Sequence, residues 1–197
     1  MKKYILGILV VFTGLIGLTF PSVSLAADSP PLTITGERIK FNTPYYLKDR
    51  NENYGGATFQ VYASYDYVIF AYDKNSLGTP IIFEAKDMRD GDINVDDLVT
   101  IKSANANWSG WHYWKCTGDA NVYLSNKASY EHKLYSDSYS RTSGIGLMWD
   151  SSAKVGIYWS EYYINTGSTP WMKIKVNQNG KNNIQERSTP FVLIKAN

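Results

Sequence analysis

Three groups of residues could do chemistry. The first is the charged stretch EAKDMRDGD over 84–92, set between the apolar run Ile81-Ile82-Phe83 and Ile93. Two bases, Lys86 and Arg89, alternate there with Asp87, Asp90 and Asp92, and Met88 is its one large apolar residue. That composition reads as an exposed turn between strands. The second group is WSGWHYWKC over 108–116, the densest aromatic cluster in the chain. Trp108, Trp111, His112 and Trp114 offer flat faces that match the C–H faces of sugar rings, while strand alternation would turn one set of these side chains inward. The third group is His112, His132 and Cys116. No spacing among them matches a metal site, and nothing beside Cys116 supplies the orienting group and activated thiolate that nucleophilic chemistry needs.

The acidic run DGDINVDD over 90–97 has the oxygen-rich look of a calcium loop. With Gly91 as the loop glycine, the first and third ligand positions fall on Lys86 and Met88, which cannot coordinate calcium. An acidic turn is expected there and no metal. No glycine loop beside a helix is present to cradle a phosphate, so no cofactor is expected. Catalysis is not expected.

The elements that position these groups are short. Runs rich in Val, Ile, Tyr and Phe alternate with Gly, Asn, Asp and Ser, with no sustained helical period, so the chain reads as all-β. Strands are expected at 33–40, 44–49, 58–63, 67–72, 80–85, 92–95, 98–103, 111–115, 120–125, 132–136, 145–149, 154–159, 170–176 and 190–195. Aromatic residues are abundant, with 16 Tyr and 6 Trp. A second aromatic stretch, YEHKLYSDSY over 130–139, would with Tyr158, Trp159, Tyr162 and Tyr163 make either an exposed contact surface or ordinary half-buried strands.

Residues 1–26 carry Lys2 and Lys3, an apolar run from Ile5 to Phe20 and a small-x-small site at Ser24-Leu25-Ala26. That is the pattern of a cleaved export signal of bacterial type, too short for a membrane span. Residues 27–33 form a lead-in and 34–197 a single domain. With a net charge of +2, neither nucleic acid nor an acidic membrane is favoured as a partner. One cysteine allows no internal disulfide, and Cys116 reads as a small buried hydrophobe rather than an intermolecular bridge. The sequon Asn107-Trp108-Ser109 would matter only in a eukaryotic host.

Three segments align: GERIKFNTPYYLKD (36–49), GDINVDDLVTIKS (91–103) and MWDSSAKVGIYW (148–159). A bulky residue precedes a strand-centre aliphatic by eight positions in each: Ile39 and Leu47, Ile93 and Ile101, Trp149 and Ile157. Two further strands follow each, centred on Ile69 and Ile82, Tyr123 and Leu134, and Ile174 and Leu193. Three four-stranded units of about 55 residues make a β-trefoil, a closed six-stranded barrel with a hairpin cap, which removes exposed sheet edges. A β-sandwich is the competing architecture.

The first unit resembles the plant Kunitz-type trypsin inhibitors. The residues that carry this are Thr43-Pro44-Tyr45-Tyr46-Leu47, Gly55-Gly56-Ala57, Gly78-Thr79-Pro80-Ile81-Ile82-Phe83, Ile93 with Asp97 to Lys102, and Pro190 to Lys195. The match covers 34–103 and 186–197 and lacks the family's disulfides. Carried over by position, the resemblance implies that 84–92 is a protease-contact loop, with Arg89, or else Lys86, entering the specificity pocket and Asp87, Met88 and Asp90 beside it. Two functions follow. One is a secreted, non-enzymatic protease inhibitor using this loop. The other is a lectin or toxin-like protein binding glycans or a host cell surface through the aromatic cluster.

Overall fold

The computed structural model describes residues 30–116, 121–136, 144–149, 155–164, 167–175 and 191–197. The expected export signal and the turn at 177–183 lie outside them, as does part of the 130–139 stretch. Twelve strands occur among the described residues: β1 Pro44–Asp49, β2 Ala57–Tyr62, β3 Tyr65–Phe70, β4 Ile81–Ala85, β5 Val99–Ser103, β6 Tyr113–Cys116, β7 Val122–Ser125, β8 His132–Ser136, β9 Ile145–Trp149, β10 Val155–Ile164, β11 Gly167–Lys175 and β12 Phe191–Lys195.

Six of them close a ring. β1 pairs with β4, β4 with β5, β5 with β8, β8 with β9, β9 with β12, and β12 returns to β1. The other six form the hairpins β2–β3, β6–β7 and β10–β11. These meet one another at Tyr67↔Tyr123, Ile69↔Trp171 and Asn121↔Lys173, and so cap one end of the ring. The β4–β5 connection lies at the opposite, open end. This is the β-trefoil expected from the sequence.

The barrel core follows the pseudo-threefold symmetry. One layer is the three cross-strand pairs Leu47–Leu193, Phe83–Ile101 and Leu134–Leu147, all fully buried. The next layer is Tyr45–Ile81, Val99–His132 and Ile145–Phe191. His132 therefore holds a position that its counterparts fill with Ile81 and Phe191. It is fully buried, and Cys116 Sγ lies 3.7 Å from its Nε2. Burial pushes the imidazole down to about 4, partly opposed by the Glu131 carboxylate, and pushes the thiol up. Both groups are neutral at pH 7. That is the reverse of the thiolate–imidazolium state that cysteine nucleophiles use, and Cys116 is the buried residue expected.

Three expectations need correction. The third repeat begins at β9, so the counterpart of Leu47 and Ile101 is Leu147. Ile157 belongs to the cap hairpin, opposite Ile174. The alignment failed because the third unit is compressed: Leu147 follows Ile101 by 46 positions, where Ile101 follows Leu47 by 54. Residues 33–40 and 92–95 form no strands and contribute only the isolated bridges Leu32↔Arg38 and Lys40↔Asp92. Their apolar residues Ile39 and Ile93 plug the open end of the barrel instead, and the Ile93 N–H donates to the Ile39 carbonyl at 2.8 Å. Glu84 and Ala85 finish β4 and are not loop.

The glycine-bearing segments are steric requirements. A Cβ on Gly56 would sit 1.8 Å from the Leu77 carbonyl oxygen, and Gly78 has φ +76° with the Ala57 carbonyl oxygen 2.3 Å from where its Cβ would lie.

Two outcomes follow for stability. Leu147→Ala should cost about 2–5 kcal/mol in denaturant unfolding, as for other fully buried leucines; a cost near zero would refute its place in the central layer. Because His132 has a folded pKa below its unfolded value, the unfolded chain binds the extra proton between pH 6.5 and 4. Stability is therefore complete above pH 6.5 and falls by roughly 3 kcal/mol on this group's account as pH drops to 4. In His132→Leu that part of the slope should vanish, which comparison of unfolding curves at the two pH values reads directly.

Candidate functional site

The loop at the open end runs from Lys86 to Asp92, and every residue in it is exposed. It leaves β4 in a turn in which the Met88 N–H donates to the Ala85 carbonyl at 3.1 Å. Met88 forms the apex, 85% exposed, with φ +54°. A left-handed conformation is unusual for a residue without a short polar side chain and costs of order 1 kcal/mol.

Residues preceding β1 hold this shape. The Asn42 Nδ2 donates to the Arg89 carbonyl at 3.3 Å and to Asp90 Oδ1 at 2.7 Å. The Phe41 N–H donates to the Gly91 carbonyl and the Asn42 N–H to the Phe83 carbonyl, each at 2.9 Å. Asn42 itself has φ +56°, a conformation asparagine tolerates well. One residue thus turns its own backbone tightly and ties the second half of the loop and strand β4 to the segment before β1.

Arg89 is exposed but tethered. Its Nη2 donates to Asp97 Oδ1, its Nη1 lies 3.7 Å from Asp87 Oδ2, and its guanidinium sits 5.1 Å from the centroid of the Phe41 ring. Asp97 is fixed in turn, with its other oxygen accepting the Asn94 N–H at 2.7 Å. The acidic residues around Arg89 therefore hold it against the body of the protein. Lys86, Asp87 and Asp90 are exposed at the flanks, and the apolar Met88 stands at the tip. Among the described residues no cluster of His, Cys, Asp and Glu could hold a metal ion. Asp97, part of the calcium-like run, is engaged by Arg89 and Asn94.

The structure divides the Trp cluster. Trp114 is buried on the inner face of β6, its Nε1 donating to Ser103 Oγ at 3.1 Å. Trp111 is half-buried and packs on the core. His112 is half-buried edge-on to Tyr113, its ring centroid 4.4 Å away, with its pKa lowered first by burial and then by Lys102. Trp108 alone stands out, 86% exposed at a turn whose Asn107 is tied to the buried Asp66. These four residues form no common sugar-binding face, because the cluster spans a loop and the start of a strand that alternates inward. Sequence reasoning missed the role of Asn42; the available signal was an asparagine, a residue that favours turns, just before Thr43-Pro44.

No family model matches the chain, and no curated protein matches it. Solved structures do. Soybean Kunitz trypsin inhibitor superposes with a TM-score of 0.67 at 14% identity, covering 86% of this chain and 100% of its own. The rice (Oryza sativa) bifunctional α-amylase/subtilisin inhibitor gives 0.60 at 17% identity over 85% and 100%. These likenesses share with this chain the β-trefoil fold. The water-soluble chlorophyll protein of Brassica oleracea superposes as well, with a TM-score of 0.63 at 15% identity over 86% of this chain and 99% of its own. The fold alone therefore leaves function to the loops.

Asn42→Gly keeps the backbone conformation and removes only the side-chain ties. An Asp-directed endoproteinase should then cut before Asp87 or Asp90 several-fold faster, while global stability changes by no more than about 1 kcal/mol, the worth of one or two exposed hydrogen bonds. An unchanged cleavage rate would show that the side chain does not brace the loop.

Proposed function

We propose that this is an exported, non-enzymatic protease inhibitor acting through the loop 86–92. The observation that carries the reading is the exposed, apolar-tipped loop tied to a second segment by Asn42 and Phe41, at the open end of a Kunitz-type trefoil. A braced loop loses little conformational entropy on binding, so its contact energy appears as affinity. Fold-level likeness to soybean trypsin inhibitor and to the rice subtilisin inhibitor supports the same reading. The export-signal pattern over 1–26 supports a target outside the cell that makes it.

The specificity residue is Met88 and not Arg89. Drawing Arg89 into an acidic pocket would break its contacts with Asp97, Asp87 and Phe41 and bring two carboxylates toward that pocket. Met88 is free of such costs and suits an apolar pocket of the chymotrypsin or subtilisin type. Its left-handed φ also keeps the following peptide out of the extended geometry a protease needs for attack. The loop plugs the site and stays uncut.

The protein should inhibit chymotrypsin or subtilisin stoichiometrically, leave trypsin active, and be recovered intact by mass spectrometry. Met88→Asp, which tolerates the same backbone, should weaken inhibition at least about 100-fold, in line with the loss of a central interface anchor. Arg89→Ala should retain most of it. Inhibition that survives Met88→Asp but is lost in Arg89→Ala would return the assignment to the basic residue, and inhibition of no serine protease would end the reading.

A further inference from the structure

The cap at the other end of the barrel carries an aromatic surface that the loop reading does not use. Register places Gln60 opposite Tyr67 and Tyr62 opposite Tyr65, with Tyr67 facing Tyr123 and Ile69 facing Trp171 on the other side of β3. The alternate residues Asp66, Val68 and Phe70 are buried beneath. The outer face of the cap is therefore a sheet of rings. Tyr67 stacks on Trp171 with centroids 4.6 Å apart and planes at 19°, and Tyr62 meets Trp171 edge-on at 5.2 Å. Tyr65 leans on Tyr123 at 5.1 Å, while Tyr62 and Tyr65 each keep more than two-fifths of their surface exposed.

A cleft of about 20 Å³ opens into this surface between Gln60, Tyr62, Tyr67, Ile69, Thr169 and Trp171. It has room for a ring substituent, not a whole ring. None of its lining residues is charged. Gln60 brings an amide that both donates and accepts, and Thr169 a hydroxyl held 2.6 Å from the Tyr72 hydroxyl.

We infer that this cap face binds a neutral saccharide, with a pyranose C–H face laid on the exposed Tyr62 and Tyr65 rings and a ring substituent seated between Gln60 and Thr169. Aromatic area combined with neutral two-way hydrogen-bonding groups matches a sugar, which presents apolar C–H and hydroxyl together. It does not match an anion or cation, for which the cleft holds no countercharge. A proline-rich peptide fits less well. It needs a slot between parallel rings, and the Tyr67–Trp171 pair is already closed on itself at stacking distance. The site involves neither Trp108 nor the 111–114 cluster. Its distance from Met88 along the barrel lets it act whether or not the loop engages a protease.

The test is calorimetric titration of the purified protein with cellotetraose, chitotetraose and β-1,4-galactotetraose, with decaproline as the competing probe. Saturable binding of at least one tetrasaccharide is expected, weakened about tenfold or more by Tyr62→Ala and also by Gln60→Ala. Both positions are exposed, and an unchanged near-UV circular dichroism spectrum reports an intact fold. Met88→Asp and Trp108→Ala should bind as well as the parent. Absence of saturation with all three sugars, binding insensitive to both cap variants, or saturable binding of decaproline in their place would each overturn the assignment.

Discussion

Closure of the barrel by β1 against β12 is the constraint on which the rest depends. Five residue pairs, from Tyr45↔Lys195 to Asp49↔Phe191, join the two ends of the described barrel. Without them β1 and β12 would each expose an unpaired edge, and the layer of Leu47, Leu193 and their counterparts would open to water. The chain has no disulfide to hold that seam, so ladder hydrogen bonds and buried aliphatic area do it. The same closure brings Ile39, Phe41 and Asn42 to the open end, where they meet the β4–β5 connection. The geometry of the exposed loop is thus a consequence of how the first barrel strand is entered.

The two poles of the barrel use the same sequence resources differently. At the open end, short polar residues and three positive-φ positions, Asn42, Met88 and Gly91, fix a small loop around an apolar tip. The charges there serve the loop itself: Arg89 is a brace between Asp97, Asp87 and Phe41. At the cap, Tyr62, Tyr65, Tyr67, Tyr123 and Trp171 from three hairpins lie on the outer face while Val68, Phe70, Leu124 and Met172 fill the inner one. His132 shows how far the core tolerates departures from symmetry. A neutral imidazole beside a neutral thiol occupies a position filled elsewhere by isoleucine and phenylalanine.

Much of the fold was legible in the sequence. Short alternating runs are local signals, and β1, β8 and β9 fall where the pattern places them. The trefoil followed from the recurrence of four such runs. The third unit was mis-phased because recurrence depends on loop length, which local patterning does not constrain, so Ile157 stood in for Leu147. The charged turn was legible, two residues shorter than expected because Glu84 and Ala85 finish β4, but the placement of its side chains was not. A basic residue among acids reads equally as bait for an acidic pocket or as an internal ion pair.

The sequence by itself determined the class of fold, the apolar layers and the place of the charged turn, because each depends on residues close together in the chain. Tertiary structure decided which side chain stands at the tip. Met88 is exposed and Arg89 is tied back because Arg89 meets Phe41 and Asn42, which precede it by 48 and 47 positions, and Asp97, eight positions after it. The cap face was likewise assembled from three hairpins distant in sequence. Most of these contacts join residues far apart in the chain, so no local pattern announces them.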